Sequence, residues 1–296
     1  MVQAKHSIEQ TDPPRSPRET LPTMYDLPSE DPEEPGLPDE FHDLQPQLLS
    51  RTCHPPHYSP EWMFTGTDIN LYYNVRHPRW YKRPDWFLVV GVPRLYDEID
   101  LRLSYVIWQE GIAPRVVVEL LSPGTETEDL GEQVRSDDLI QPSSEAPSTQ
   151  EEPETAKNQK PPGKWEVYEQ ILRVPHYLVF SRYTNRMRAF TLVGDRYQEI
   201  AIDSNSPRVW IPSLELGLGL WQGPFEGIER LWLRWYDAEG NWLLTDTELA
   251  LEQAQQERQR AEVAEQRANI AEQRAETAEQ RAEQLAQRLR DLGIDP

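Results

Sequence analysis

One cysteine, six histidines and no long apolar run leave few kinds of chemistry open to this 296-residue chain. Cys53, standing alone, excludes an intrachain disulfide and a thiolate zinc cluster, and fits a reducing cytosol. No stretch approaches the roughly 20 apolar residues that span a bilayer. The start, Met1-Val-Gln-Ala-Lys-His-Ser7, lacks the hydrophobic centre of a signal peptide. These absences predict a soluble, cytoplasmic protein with no membrane partner. His54 and His57 lie near Cys53 in a proline-rich stretch with no evident fourth ligand for zinc, and His176 reads as structural. Walker loops, Gly-x-Gly-x-x-Gly turns and nucleophile elbows are all missing.

What the chain does have is proline and acid: 27 prolines, 51 Asp and Glu against 30 Lys and Arg, and a net charge of −21. Such a total opposes nucleic-acid binding, which runs on cations that neutralise phosphates. The distribution softens that objection, because residues 1–60 hold 11 acids and 4 bases while 164–245 hold 10 and 9. The excess is concentrated in segments poor in apolar residues. Residues 1–58, rich in Pro, Glu, Asp and Ser, cannot bury enough surface to offset chain entropy and are expected to be disordered. Residues 136–162, with Pro142, Pro147, Pro153, Pro161 and Pro162, read as a disordered acidic and proline-rich insertion within a 59–245 domain.

From 246 to 296 the character changes. Ala261, Ala268, Ala275, Ala282 and Leu289 recur every seven residues, with Ala264, Ala271, Ala278 and Leu285 at the second heptad position. Arg267 and Arg274 precede Glu272 and Glu279 by five residues, the spacing that pairs charges between parallel helices. A coiled-coil helix is the reading, with a lone charge-laced helix as the alternative.

Within the 59–245 domain the pattern alternates between strands and helices. Thr67 to Tyr73, Trp86 to Val90, Ser104 to Trp108, Tyr177 to Phe180 and the pair of runs joined at Gly194-Asp195 read as strands. Asp68 is either a turn residue at a strand entry or a further acid near a site. Lys164 to Leu172 reads as an amphipathic helix with Trp165, Tyr168, Ile171 and Leu172 on one face. The run Arg115-Val-Val-Val-Glu-Leu-Leu-Ser-Pro123 is a central strand covered on both faces, and Glu119 is its anomaly. A buried lone carboxylate costs several kcal/mol, about enough to demand a counter-charge. Arg115 or Arg173 could supply it, and so could a metal ion. Asp85 stands at the mouth of the preceding strand, and Lys164 in the first turn of the following helix, where the helix dipole disfavours a cation. Two acids at strand ends and an ammonium are what a hard cation and a phosphate require, though this spacing alone is weakly specific.

Taken together, Pro84-Asp85 entering a strand, Val117-Val-Glu119-Leu-Leu-Ser-Pro123 followed by Asp129-Leu-Gly131, and Lys164-x-x-x-Tyr168 leading into Val174-Pro-His-Tyr-Leu-Val-Phe180 resemble the Uma2-type putative restriction endonuclease family, within the PD-(D/E)xK nuclease superfamily. The similarity covers about residues 62–245. The resemblance implies an α/β, restriction-endonuclease-like core with a mixed central sheet flanked by helices, to which the coiled-coil helix and disordered N-terminus are appended. It implies Mg²⁺ (or Mn²⁺), DNA as partner and hydrolysis of phosphodiester bonds. By position, Asp85 and Glu119 match the metal-binding acids and the Leu120 carbonyl a further ligand. The superfamily's usual lysine falls on Leu121, so the catalytic lysine is carried to Lys164 on the next helix. A homo-oligomer, a dimer through the coiled coil and globular domain, is expected. The competing expectation is a catalytically inactive scaffold that assembles partners through the coiled coil.

Overall fold

A computed structural model describes residues 39–140 and 161–291. The first element, helix α1 (Glu40–Thr52), lies inside the segment that composition reads as disordered, and residues 1–38 lie outside the described residues. Asp39 caps α1 by accepting from the His42 amide at 3.1 Å. Phe41, Gln45, Leu48, Leu49 and Thr52 recur at helical spacing and are buried. Thirteen amphipathic residues are hidden when prolines and acids are averaged over 58. The Gln45 side chain docks α1 by bridging the Leu233 amide at 2.8 Å and the Leu233 carbonyl at 2.9 Å.

Strands β1 (Met63–Gly66), β2 (Leu71–Tyr72), β3 (Tyr81–Lys82), β4 (Trp86–Val90) and β5 (Tyr105–Val106) follow, then a short helix α2 (Ile107–Glu110) and β6 (Val116–Leu120). The strand expected over Thr67–Tyr73 is only two residues long, and Asp68 sits in a turn at φ 47°. After β6 come α3 (Glu126–Leu130), a helical turn α4 (Lys164–Glu166), and β7 (His176–Ser181), β8 (Arg186–Val193) and β9 (Arg196–Glu199). Gly194, at φ 64°, makes the predicted turn of the β8–β9 hairpin. The chain continues with β10 (Arg208–Ile211), β11 (Leu216–Phe225) and β12 (Ile228–Tyr236).

The main sheet has the order β1-β4-β6-β7-β8-β9, with β6 and β7 parallel and every other pair antiparallel. Two three-stranded sheets, β10-β11-β12 and β3-β2-β5, complete the architecture. β6 is wholly buried, as its composition predicts, because each face has its own cover. Val116, Val118 and Leu120 pack with α1 and β10–β12. Val117 and Leu121 pack on the opposite face with Val167, Tyr168 and Tyr177. Residues 136–140, read from composition as the start of a disordered insertion, are among the described residues. Asp138 is buried in an ion pair with Arg188 at 2.6 Å, and the Ile140 amide donates to Glu126 at 2.8 Å. Residues 141–160 lie outside the described residues.

The predicted continuous helix over 164–172 is not regular. After α4 the backbone widens into a π-turn at Val167–Ile171, closed by the Leu172 amide on the Val167 carbonyl and the Val174 amide on the Tyr168 carbonyl, both at 2.8 Å. The extra residue shifts the phase. Val167 and Tyr168 become the buried pair, Glu169 is drawn in to accept from the Tyr197 amide at 2.8 Å, and Ile171 is left 41% exposed.

The chain divides into two compact units between Leu243 and Leu244. The second consists of α5 (Asp246–Asp291), a single 46-residue helix with no buried residue. It opens with a capping box. The Thr245 hydroxyl accepts from the Glu248 amide at 3.2 Å, and the Glu248 carboxylate accepts from the Thr245 amide at 2.8 Å.

Candidate active site

Antiparallel register explains how two acids 34 residues apart become neighbours. Trp86 at the start of β4 pairs with Val118 near the end of β6, so the residues one step further, Asp85 and Glu119, lie side by side. The Asp85 amide donates to Glu119 Oε2 at 3.3 Å, and Asp85 Oδ2 accepts from the Leu120 amide at 2.6 Å. Pro84 fixes the chain just before this point, where no ladder donor is needed.

Lys164 reaches the same place from the other side of the crossover. Its Nζ lies 3.1 Å from Glu119 Oε2 and 2.8 Å from Asp129 Oδ1. The lysine is thus the counter-charge of Glu119. Neither arginine considered from spacing has that role, since Arg173 donates to the Gly194 carbonyl and Arg115 lies by His176. The Tyr168 hydroxyl donates to Glu119 Oε1 at 2.8 Å, which the π-turn makes possible. α3 and α4 are brought together at Gly131, whose φ is 54° and where a Cβ would stand 3.3 Å from that of Trp165. A larger residue there would push Asp129 and Lys164 apart.

Three carboxylates and one ammonium make this cluster rich in negative charge. Burial, only partly offset by Lys164 and reinforced by Asp85, pushes the Glu119 carboxyl well above its ordinary range. Asp129 is raised for the same reasons. Burial alone would lower Lys164, but Asp129 and Glu119 outweigh it and hold the ammonium well above its ordinary value. Lys164 is therefore a firmly charged donor, and the acid cluster is where a proton or another cation is favoured.

Asp85 and Lys164 open on a cleft of about 240 Å³ lined also by His42, Asp68, Arg83, Leu120 and Asp129. Glu119 lies behind this wall with no exposure. Asp68, open to two readings in sequence, serves both: it is a turn residue and it faces the cleft, paired to Arg83 at 2.7 Å. Lys82 and Glu128, 3.3 Å apart, form another part of the rim.

His42 and Asp39 were invisible to sequence reasoning because they belong to the stretch read as disordered. Asp39 Oδ1 is 2.8 Å from His42 Nδ1, while His42 Nε2 stands 3.1 Å from the Leu120 carbonyl and 3.2 Å from Ser122 Oγ. Burial lowers His42, but its bond to Asp39 and the charge of Asp85 overcome this and raise it. Burial raises Asp39 in turn, yet the bonds and charge of His42, with Arg182, bring it down to about 2. The signal that could have exposed them is the Asp39-x-x-His42 cap ahead of Phe41, Leu44, Leu48 and Leu49. Asp129 was visible in the motif, but only its contact with Lys164 gives it a place.

The residues that would hold a hard divalent cation are Asp85, Glu119 and the Leu120 carbonyl, an all-oxygen set of the kind such an ion takes. Its excess negative charge fits such an ion. Among the described residues no group of three His, Cys, Asp or Glu side chains is arranged to hold a metal.

A mixed sheet that delivers one acid from a strand mouth, another from inside the neighbouring strand and a lysine from the covering turn defines a restriction-endonuclease-like α/β fold. The chain belongs to the Uma2 putative restriction endonuclease family, whose sequence model matches residues 15–226. That span reaches upstream of the 62–245 similarity and takes in α1 with His42. No curated protein matches the chain. Among the described residues no helix is long and apolar enough to cross a membrane.

Proposed function

We propose that this chain is a Mg²⁺-dependent endonuclease that hydrolyses DNA phosphodiester bonds, with Asp85, Glu119 and the Leu120 carbonyl as metal ligands and Lys164 as the catalytic cation. The observation that carries this reading is the meeting of Asp85, Glu119 and Lys164, from three separate elements, with Asp85 and Lys164 lining one cleft and Glu119 bonded to both directly behind it. A bound divalent ion supplies a more acidic water and charge for the phosphate oxygens. Lys164, bonded to Asp129 and Glu119, donates to the attacking water or to a phosphate oxygen. Asp129 and Tyr168 are positioning residues: the first holds Lys164, the second holds Glu119. Incubation with supercoiled plasmid is expected to give nicked and linear products in Mg²⁺ or Mn²⁺ and none in EDTA. Intact plasmid and oligonucleotides across metals and salt would sink the reading.

A second reading, a catalytically idle scaffold, is favoured by a specific observation: both Glu119 oxygens are already engaged within the protein, by Lys164, Tyr168 and the Asp85 amide. The exposed alanine seam of α5 would then be the functional part, joining two copies in a parallel coiled coil. An alanine seam buries little area, at about 25 cal/mol per Å², so charges placed within it disrupt it. Ala268→Asp with Ala275→Asp is expected to turn a dimer into a monomer in sedimentation of the full chain. A wild-type monomer at all concentrations removes the coiled-coil assignment.

A further inference from the structure

In a chain of net charge −21, residues 69–84 are an outlier: Arg76, Arg79, Lys82, Arg83 and His77 without a single aspartate or glutamate, interleaved with Tyr72, Tyr73, Trp80 and Tyr81. This stretch is the arm formed by β2, β3 and their connection. Its backbone is built rather than loose. The Asn74 carbonyl accepts from the His77 amide at 3.0 Å, the His77 carbonyl accepts from the Trp80 amide at 2.8 Å, and the two rings stack at 3.9 Å. Lys82 and Arg83 already face Glu128 and Asp68. Arg76 and Arg79 are exposed and have no ion pair with a described residue.

Beside these cations lies a row of rings. Tyr72 is central, 5.5 Å from Tyr81 and 6.4 Å from Trp108 on α2, and the two flanking rings are 43% and 39% exposed. Tyr81, Lys82 and Arg83 also line the cleft that holds Asp85 and Lys164. The arm therefore runs from open surface into the candidate site, with cations for a phosphate backbone and ring faces for bases. Ring faces matter in choosing the occupant. A duplex offers its backbone to such a surface, whereas stacking needs an unpaired base.

We propose that the β2–β3 arm, with Arg76, Arg79, Tyr81 and Trp108, is a docking surface for a single-stranded segment of nucleic acid that leads into the Asp85 cleft. The inference rests on the reading of that cleft as a phosphodiester site. Its test uses the full chain in EDTA, where nothing is cut, with a labelled single-stranded oligonucleotide and the matching duplex followed by fluorescence anisotropy. The wild type is expected to bind the single strand more tightly. Arg76→Ala with Arg79→Ala should reduce the slope of log K against log salt by about 1.4, at roughly 0.7 per cation lost from a single strand. Trp108→Ala should weaken single-strand binding by about 5- to 150-fold and leave that slope unchanged. The two arginines are exposed, so the double variant keeps the fold even if the tryptophan variant does not. Wild-type affinity and slope in the double variant, equal losses on duplex and single strand, or no binding by the wild type would each overturn the proposal. Binding through the arm by a chain that cuts nothing in Mg²⁺ would sink the nuclease reading alone. Cleavage by a chain whose variants bind like wild type would sink the arm alone.

Discussion

Lys164→Ala is expected to lower the free energy of unfolding by about 3–5 kcal/mol, the cost of leaving a buried charge without its partner. The lysine is the only cation touching Glu119 and Asp129 among the described residues, and both acids are buried. With it gone, the buried carboxylates of Glu119 and Asp129 repel one another and Asp85 at the back of the cleft. The Lys164 side chain keeps 16% of its exposure, which places the effect at the lower end of that range. A second substitution separates charge from packing. Adding Glu119→Gln to Lys164→Ala removes one of the opposing acids, and the double variant is expected to recover part of the loss, on the order of 1 kcal/mol of coupling. Urea unfolding of the three variants measures this cycle. A single-variant loss below about 1 kcal/mol, typical of exposed pairs, would mean that Lys164 is not the counter-charge described above.

How much of this site was legible follows from which interactions are local. The β6 run announces itself because a strand covered on both faces must be apolar throughout, and one carboxylate in it stands out. The neighbouring position of Asp85 depends on antiparallel register, which the proline and the strand lengths suggest but do not fix. The resemblance put Lys164 at the same site as Glu119, but spacing did not show it as the counter-charge. Arg115 and Arg173 are nearer in sequence to β6 or β7, yet the crossover brings Lys164 instead, past 20 residues outside the described set. The π-turn is equally silent, since Trp165, Tyr168, Ile171 and Leu172 satisfy a regular helix just as well. The α1 helix was lost for a different reason. Its apolar face is convincing over 13 residues, but acid- and proline-rich neighbours dominate any average taken over 58. With it went His42, the side chain that faces the Leu120 carbonyl. The heptads of α5, by contrast, need no partner to be read, because a repeat is a property of the sequence itself.

Asp85→Asn is expected to reduce Mg²⁺-dependent cleavage by about 10³-fold or more, the scale set by removing a group that holds transition-state charge, while leaving the fold intact. The local ladder survives the change. The asparagine carbonyl still accepts from the Leu120 amide, and the main-chain amide at 85 still donates to Glu119. Asp85 borders the cleft, so its new amide group meets water there. Only a negative charge disappears, and it disappears from a cluster that already has too many. Stability should therefore hold or rise slightly, in contrast to Glu119→Ala, which strips Lys164, the Tyr168 hydroxyl and the Asp85 amide of their common acceptor. Glu119→Gln is the gentler companion, because its carbonyl can face Lys164 while its amide faces a hydroxyl able to accept. Titration calorimetry with Mn²⁺ should give heat for the wild type and none for Asp85→Asn or Glu119→Gln. If Asp85→Asn cuts plasmid within tenfold of wild type, the acid at the strand mouth holds no metal, and the pairing of Asp85 with Glu119 is a device of register alone.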